Sequence, residues 1–181
     1  PHTLNNSNLA QVSGLGSMDG HNAIVRWGDG TKWGFSWNQA NENDMINLQW
    51  GNGSMGATFG LAMSADDNGL TGTENVATSD MGISASWGQA MGFGDLGVGF
   101  SNSSSDDGVA ATKDDHATMG LEVNLRRAQS IWLFDNMLVN FAYESDNDDC
   151  MGDCGTTGSA VTAMGLQTSL FTHIDIADGT T

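Results

Sequence analysis

The sequence predicts an all-β, antiparallel, up-and-down fold, and three observations predict it. Apolar residues recur with period two along most of the 181-residue chain, and helical periodicity is almost absent. The connections between these alternating segments are short and long in turn, as in a meander. The composition is that of small polar residues, with 25 Gly, a single Pro and only 15% charged residues.

Taken in chain order, Ala23, Val25 and Trp27 lead through Gly28-Asp29-Gly30 into Trp33, Phe35 and Trp37. Ile46, Leu48 and Trp50 lead through Gly51-Asn52-Gly53 into Met55, Ala57, Phe59, Leu61 and Met63. Met81, Ile83, Ala85 and Trp87 make the next segment, followed by Leu96, Val98 and Phe100. Met119, Leu121, Val123 and Leu125 follow, then Met137, Val139, Phe141 and Tyr143, and last Thr162, Met164, Leu166, Thr168 and Leu170. Nine strands are readable. Short turns are expected at 28–30, 51–53, 89–94 and 128–135, and longer polar loops at 38–44, 65–80, 101–116 and 144–158. In an antiparallel meander every second connection lies at the same end, so the short turns share one end and the long loops the other.

Charge and aromatics follow the same division. Of the 22 acidic residues, 15 lie in or beside the long loops, whereas Arg26, Lys32, Arg126 and Arg127, four of the five cations, lie toward the turns. Trp27, Trp33, Trp50, Trp87 and Trp132 fall at the turn end, and Trp37 and Tyr143 nearer the loops. A formal net charge of −17 with five cations argues against a nucleic-acid partner, because little positive charge exists to displace counterions from phosphates.

The face opposite the apolar one decides between two architectures. A soluble sandwich turns Lys, Glu and Thr to water; here that face is Gly, Ser, Thr, Asn and Ala, which suits a lumen. Stretches 54–64, 117–127 and 159–170 have the length of membrane-crossing strands, and no run of 18 apolar residues provides a transmembrane helix. No charge falls mid-strand on the apolar face, and Arg127, of apolar parity, sits at the turn end where it can snorkel to headgroups. The expectation is therefore an antiparallel transmembrane β-barrel, with residues 21–181 forming the strands and 1–20 a separate segment, either a plug or an extra strand.

This pattern, across residues 21–176, resembles bacterial outer-membrane β-barrels of the porin type. The resemblance implies an outer-membrane location, outer-membrane lipid and small solutes as partners, a homo-oligomer as one assembly, and passive diffusion of small hydrophilic solutes as the function. Two alternatives stay open: a non-conducting structural or adhesive surface barrel with cation-binding acidic loops, and a soluble secreted β-sandwich. Bacterial single-chain barrels have even strand numbers. Nine strands therefore imply either a further strand within residues 3–15 or an incomplete barrel, and the incomplete barrel is the expectation. No charged-then-apolar leader opens the chain, so any export signal is expected to have been removed or never to have been there.

Candidate functional residues are few. Arg26, Glu122 and Arg126 have inward parity and set a lumenal charge pattern, or pair with one another and fill the lumen. Asn47, Gln49, Asn124, Asn140 and Gln167 also point inward. Asp66 and Asp67, and Glu144, Asp146, Asp148, Asp149 and Asp153, gather oxygens that suit calcium, against the simpler reading of solvated loops. No cofactor is required. Cys150 and Cys154 are candidates for a local disulfide across a tight loop; three intervening residues do not fit a redox Cys-x-x-Cys. His2, His21, His116 and His173 lack metal-ligand spacing and no Ser lies in a nucleophile elbow, so no enzyme is expected.

Overall fold

The computed structural model describes residues 8–13, 22–40, 43–67, 77–106, 114–127, 132–150 and 160–172. Among them there is no helix. Ten strands follow one another: β1 (Leu9–Ser13), β2 (Asn22–Trp27), β3 (Lys32–Ala40), β4 (Asn43–Gly51), β5 (Met55–Asp67), β6 (Ala77–Met91), β7 (Gly94–Asp106), β8 (Asp114–Arg127), β9 (Asn136–Cys150) and β10 (Ala160–Phe171). They form a single antiparallel sheet in sequence order, with β1 at one edge and β10 at the other. The sheet is not closed.

Two of the hairpin turns at the tight end have a local cause. Gly28 and Gly30 take φ of +118° and +78°, and the Thr31 amide donates to the Asp29 carbonyl at 3.0 Å. In the second turn Gly53 takes φ +89°, and the Asn52 side-chain oxygen accepts from the amides of Ser54 at 3.1 Å and Met55 at 2.9 Å. An Asn closing its own turn in this way fixes the hairpin register.

The register keeps every expected face together. Phe35, Leu48, Phe59, Ala85, Phe100, Leu121, Tyr143 and Met164 are successive cross-strand partners, all of apolar parity. On the reverse face Gln49, Thr58, Ser86, Gly99, Glu122, Ala142 and Gly165 are successive partners. Because side chains alternate strictly, a slip of one residue anywhere would break both rows.

Among the described residues, nothing forms a second layer on either face. Among the described residues there is no buried hydrophobic side chain, and Leu48 and Phe59 in the middle of the apolar face are 49% and 47% exposed. Met164 and Leu166 on edge strand β10 are each 72% exposed. A soluble monomer rarely exposes a contiguous apolar area of this extent.

The structure departs from the sequence reading in strand number and strand length. The tenth strand is β1, which pairs with β2 from Leu9↔Arg26 to Ser13↔Asn22, so residues 9–13 add a strand rather than a plug. The expected loop at 38–44 is largely strand, since β3 runs to Ala40 and β4 starts at Asn43. The other three loops are shorter than expected: the ladders run on to Asp67↔Ala77, Ser105↔His116 and Asn147↔Ala160 or beyond. In these extensions both faces are polar, and hydrogen bonds such as Ser64 Oγ to Asp80 (2.8 Å) and Ser103 to Thr118 (2.6 Å) replace apolar contact.

The turn ends are staggered. From the row that contains Trp27↔Trp33, the ladder stops at that pair in the first hairpin, at Gly51↔Gly56 in the second, at Met91↔Gly94 in the third and at Arg127↔Met137 in the fourth. If the turns share one plane, the strands must lean across it, and a lean of this kind is what lets a sheet curl toward closure.

Candidate functional site

The apolar face carries an aromatic row at its turn end. Trp27 pairs with Trp33, Trp33 with Trp50, Trp50 with Ala57 and Ala57 with Trp87, so four indoles and one small residue lie in line across five strands. The rings of Trp33 and Trp50 are 6.4 Å apart at an interplanar angle of 60°, a tilted contact of the favourable kind. Trp132, in the β8–β9 connection, is 87% exposed. Trp37 lies on the same face further toward the loops, between Ala23 and Ile46. Tyr143 does not lie at a rim: it pairs with Leu121 and Met164, midway along β9.

The polar face is a carpet of small groups joined sideways. Thr58 and Ser86 hydroxyls are 2.6 Å apart, and a Cβ at Gly60 would stand 2.4 Å from Ser84 Oγ and 2.9 Å from Asn47 Oδ1. A side chain at that position would require Ser84 and Asn47 to shift. A groove of about 510 Å³ opens on this face, lined by Thr58, Ser84, Ser86, Ser101, Gly120, Glu122 and Glu144 among others.

Of the lumenal charges read from sequence, Glu122 stands between Gly99 and Ala142 and accepts a hydrogen bond from Asn140 Nδ2 at 3.2 Å. Arg126 is on the same strand and face, opposite Asp95 and Leu138. Arg26 is on β2, opposite Leu9 and Gly34, and the open sheet does not bring it to the other two. Among the described residues no ion pair joins the three. Asn124, Asn140 and Gln167 form one polar row, and Asn47 and Gln49 share the face with them.

The carboxylates read as a cation site divide differently. Glu144, Asp146 and Asp148 are alternate residues of β9 on the polar face, opposite Gly120, Thr118 and His116. His116 lies between two of them, with Nδ1 3.4 Å from Asp146 Oδ1 and Nε2 3.8 Å from Asp148 Oδ1. Sequence reasoning treated this His as isolated, because the pairing of β8 with β9 that brings it there fell in stretches assigned to loops. The side chains of Asp66, Asp67, Asp149 and Cys150, and Asp153 and Cys154 altogether, lie outside the described residues. Among the described residues, no group of three His, Cys, Asp or Glu is close enough to hold a metal ion.

Polar residues interrupt the apolar face at Gln89, Asn102 and Thr168. Asn102 stands between Ile83 and Met119, with its amide donating to the Thr118 carbonyl at 3.2 Å. Charged residues of apolar parity whose side chains are described, Asp106, Asp115 and Arg127, all sit at strand ends. Comparison with protein-family models, with curated proteins and with solved structures returned no match to this chain.

Proposed function

We propose that the sheet closes into a β-barrel spanning a bacterial outer membrane and forms a porin-like channel for passive diffusion of small hydrophilic solutes. The observation that carries this reading is the pair of unlayered faces: one continuous and apolar, edged by Trp at the turn end, the other of Gly, Ser, Thr and Asn. Lipid is the medium that accepts an uncovered apolar face of this extent, and in lipid the free edges of β1 and β10 are untenable. Each unpaired backbone group there costs several kcal/mol, so closure follows.

The dimensions agree. Apolar positions from Met55 to Met63 on β5 span about 27 Å along the strand. At a tilt of about 40° that is about 20 Å of membrane thickness, close to the apolar band of such barrels. Ten strands spaced at about 4.8 Å with that tilt close at a backbone radius of about 10 Å, and any further strands would widen it. Small inward residues then leave room for water. On this reading the chain is not an enzyme, needs no resident cofactor, and has outer-membrane lipid and small solutes as partners.

A second reading, a non-conducting surface barrel, is favoured by one observation. The long side chains of Glu122, Arg126, Asn140 and Gln167 cluster on neighbouring strands β8–β10 and are placed to fill part of a narrow lumen. Planar-bilayer recording of the folded, detergent-purified protein separates the two. Stepwise single-channel currents are expected; folded protein that inserts and stays silent would leave the surface barrel standing. Protein that is monomeric and stable in buffer without detergent would remove both.

A further inference from the structure

The polar face sorts its charges by height. At the turn end it carries Lys32, Arg26 and Arg126, each within two residues of the last pair of its ladder. At the loop end it carries Asp80, Asp146 and Asp148, with Glu144 nearer mid-strand, and no Lys or Arg among the described residues. Between them lie mostly Gly, Ala, hydroxyls and amides, with Ile24 and Met45 as apolar exceptions and with the charge of Glu122. Two strands, β6 and β9, contribute the loop-side carboxylates, and Asp80 is level with Asp148 because it faces Ser105 on β7, which faces His116 on β8, which faces Asp148.

Resting on the channel reading, we propose that this axial separation of charge makes the pore cation-selective. Asp80, Glu144, Asp146 and Asp148 are the selectivity-determining residues in the loop-side half of the pore, and the favoured solutes are small and cationic or neutral.

Three features make the acidic end dominate. The turn-end cations are partly offset, since the Lys32 ammonium donates to the Gly28 carbonyl and Asp95 stands opposite Arg126. Glu122 adds a further carboxylate inside the pore, whereas no cation stands between it and the loop end among the described residues. His116 Nδ1 stands 3.4 Å from Asp146 Oδ1, so Asp146 is held at the rim of the lumen by a side chain of the neighbouring strand, while Nε2 lies 3.8 Å from Asp148 Oδ1, beyond hydrogen-bond reach. A ring of one sign in a low-dielectric wall concentrates its counter-ion and repels the co-ion. Four carboxylates about 10 Å from the pore axis, screened over about one Debye length in ~0.1 M salt, favour a monovalent cation over the matching anion about sevenfold.

The test is the reversal potential of the full chain in a planar bilayer under a tenfold KCl gradient. The wild type is expected to show a K⁺ over Cl⁻ permeability ratio of about seven at ~0.1 M, falling toward one near 1 M where screening is nearly complete. The variant D80N/E144Q/D146N/D148N is expected to bring the low-salt ratio close to one, with folding checked by retained gel mobility of the unheated protein. If that variant does not fold, D146N/D148N is expected to reduce the ratio at least twofold. A wild-type ratio of one or less, or a ratio unmoved in a folded variant, overturns the selectivity. Folded protein that passes no current at all instead removes the channel reading on which it rests.

Discussion

An arginine placed on the apolar face is expected to be costly in proportion to its depth, and β8 with β9 supplies the ruler. Arg127 and Met137 are the last pair of that ladder at the turn end, and Leu121 lies six residues further along on the same face. Six residues of strand are about 20 Å. At a tilt of about 40° they place Leu121 about 15 Å above the turn-end pair, near the middle of a hydrocarbon layer about 30 Å thick. Leu121→Arg is therefore expected to destabilise the folded state in lipid by about 2–4 kcal/mol, and Met137→Arg by no more than about 1 kcal/mol. The chain already tolerates Arg127 beside Met137, which fits the smaller figure. Ser101→Arg, on the opposite face between Ser84 and Gly120, provides the control and is expected to resemble Met137→Arg. Denaturant titration of refolding into lipid vesicles measures all three. Equal costs at Leu121 and Met137, or a cost at Ser101 as large as at Leu121, would refute the assignment of the apolar face to lipid.

Two further substitutions test smaller parts of the structure. The tilted pair Trp33 and Trp50 is expected to show a coupling of about 0.5–1.5 kcal/mol in a double-mutant cycle with Ala, read in the same titration, and no coupling would mean that the rings do not meet. Gly28→Ala is expected to destabilise by more than about 1 kcal/mol, because the residue has φ +118° and a Cβ would stand 2.1 Å from the Thr31 carbonyl oxygen; a neutral effect would mean a different first turn.

The apolar half of the sheet was legible because alternation is a statement about faces. Met55 to Met63 and Met119 to Leu125 declare their parity residue by residue, and the register of the structure keeps those parities in line from β2 to β10. The same signal fails where both faces are polar. Ser101 to Asp106 and Glu144 to Cys150 continue as strands, yet with no apolar residue at alternate positions they read as loops. Their ladders are held by backbone pairing and by hydroxyl and carboxylate hydrogen bonds, which leave no periodic trace in hydrophobicity. β1 was ambiguous for a related reason: five residues with Leu9 on the polar face and only Ala10 and Val12 on the other carry too little pattern to separate a strand from a plug.

The candidate site suffered the same loss. Glu122 and Arg126 were placed correctly on one face because Leu121, Val123 and Leu125 between and beside them fix the parity. His116 and its two carboxylates required knowing that β8 opposes β9 beyond the apolar stretch, a long-range pairing that no local spacing encodes.

The most direct measurement of the central claim is residue-by-residue accessibility along β6 in lipid. Single nitroxide-labelled cysteines at Gly82, Ile83, Ser84, Ala85 and Ser86, with Cys150 and Cys154 replaced by Ser, report contact with lipid-soluble oxygen or with a water-soluble nickel chelate. The account predicts strict alternation, with oxygen favoured at positions 83 and 85 and nickel at 82, 84 and 86. Uniform nickel access at all five positions, or alternation of the opposite phase, would contradict it.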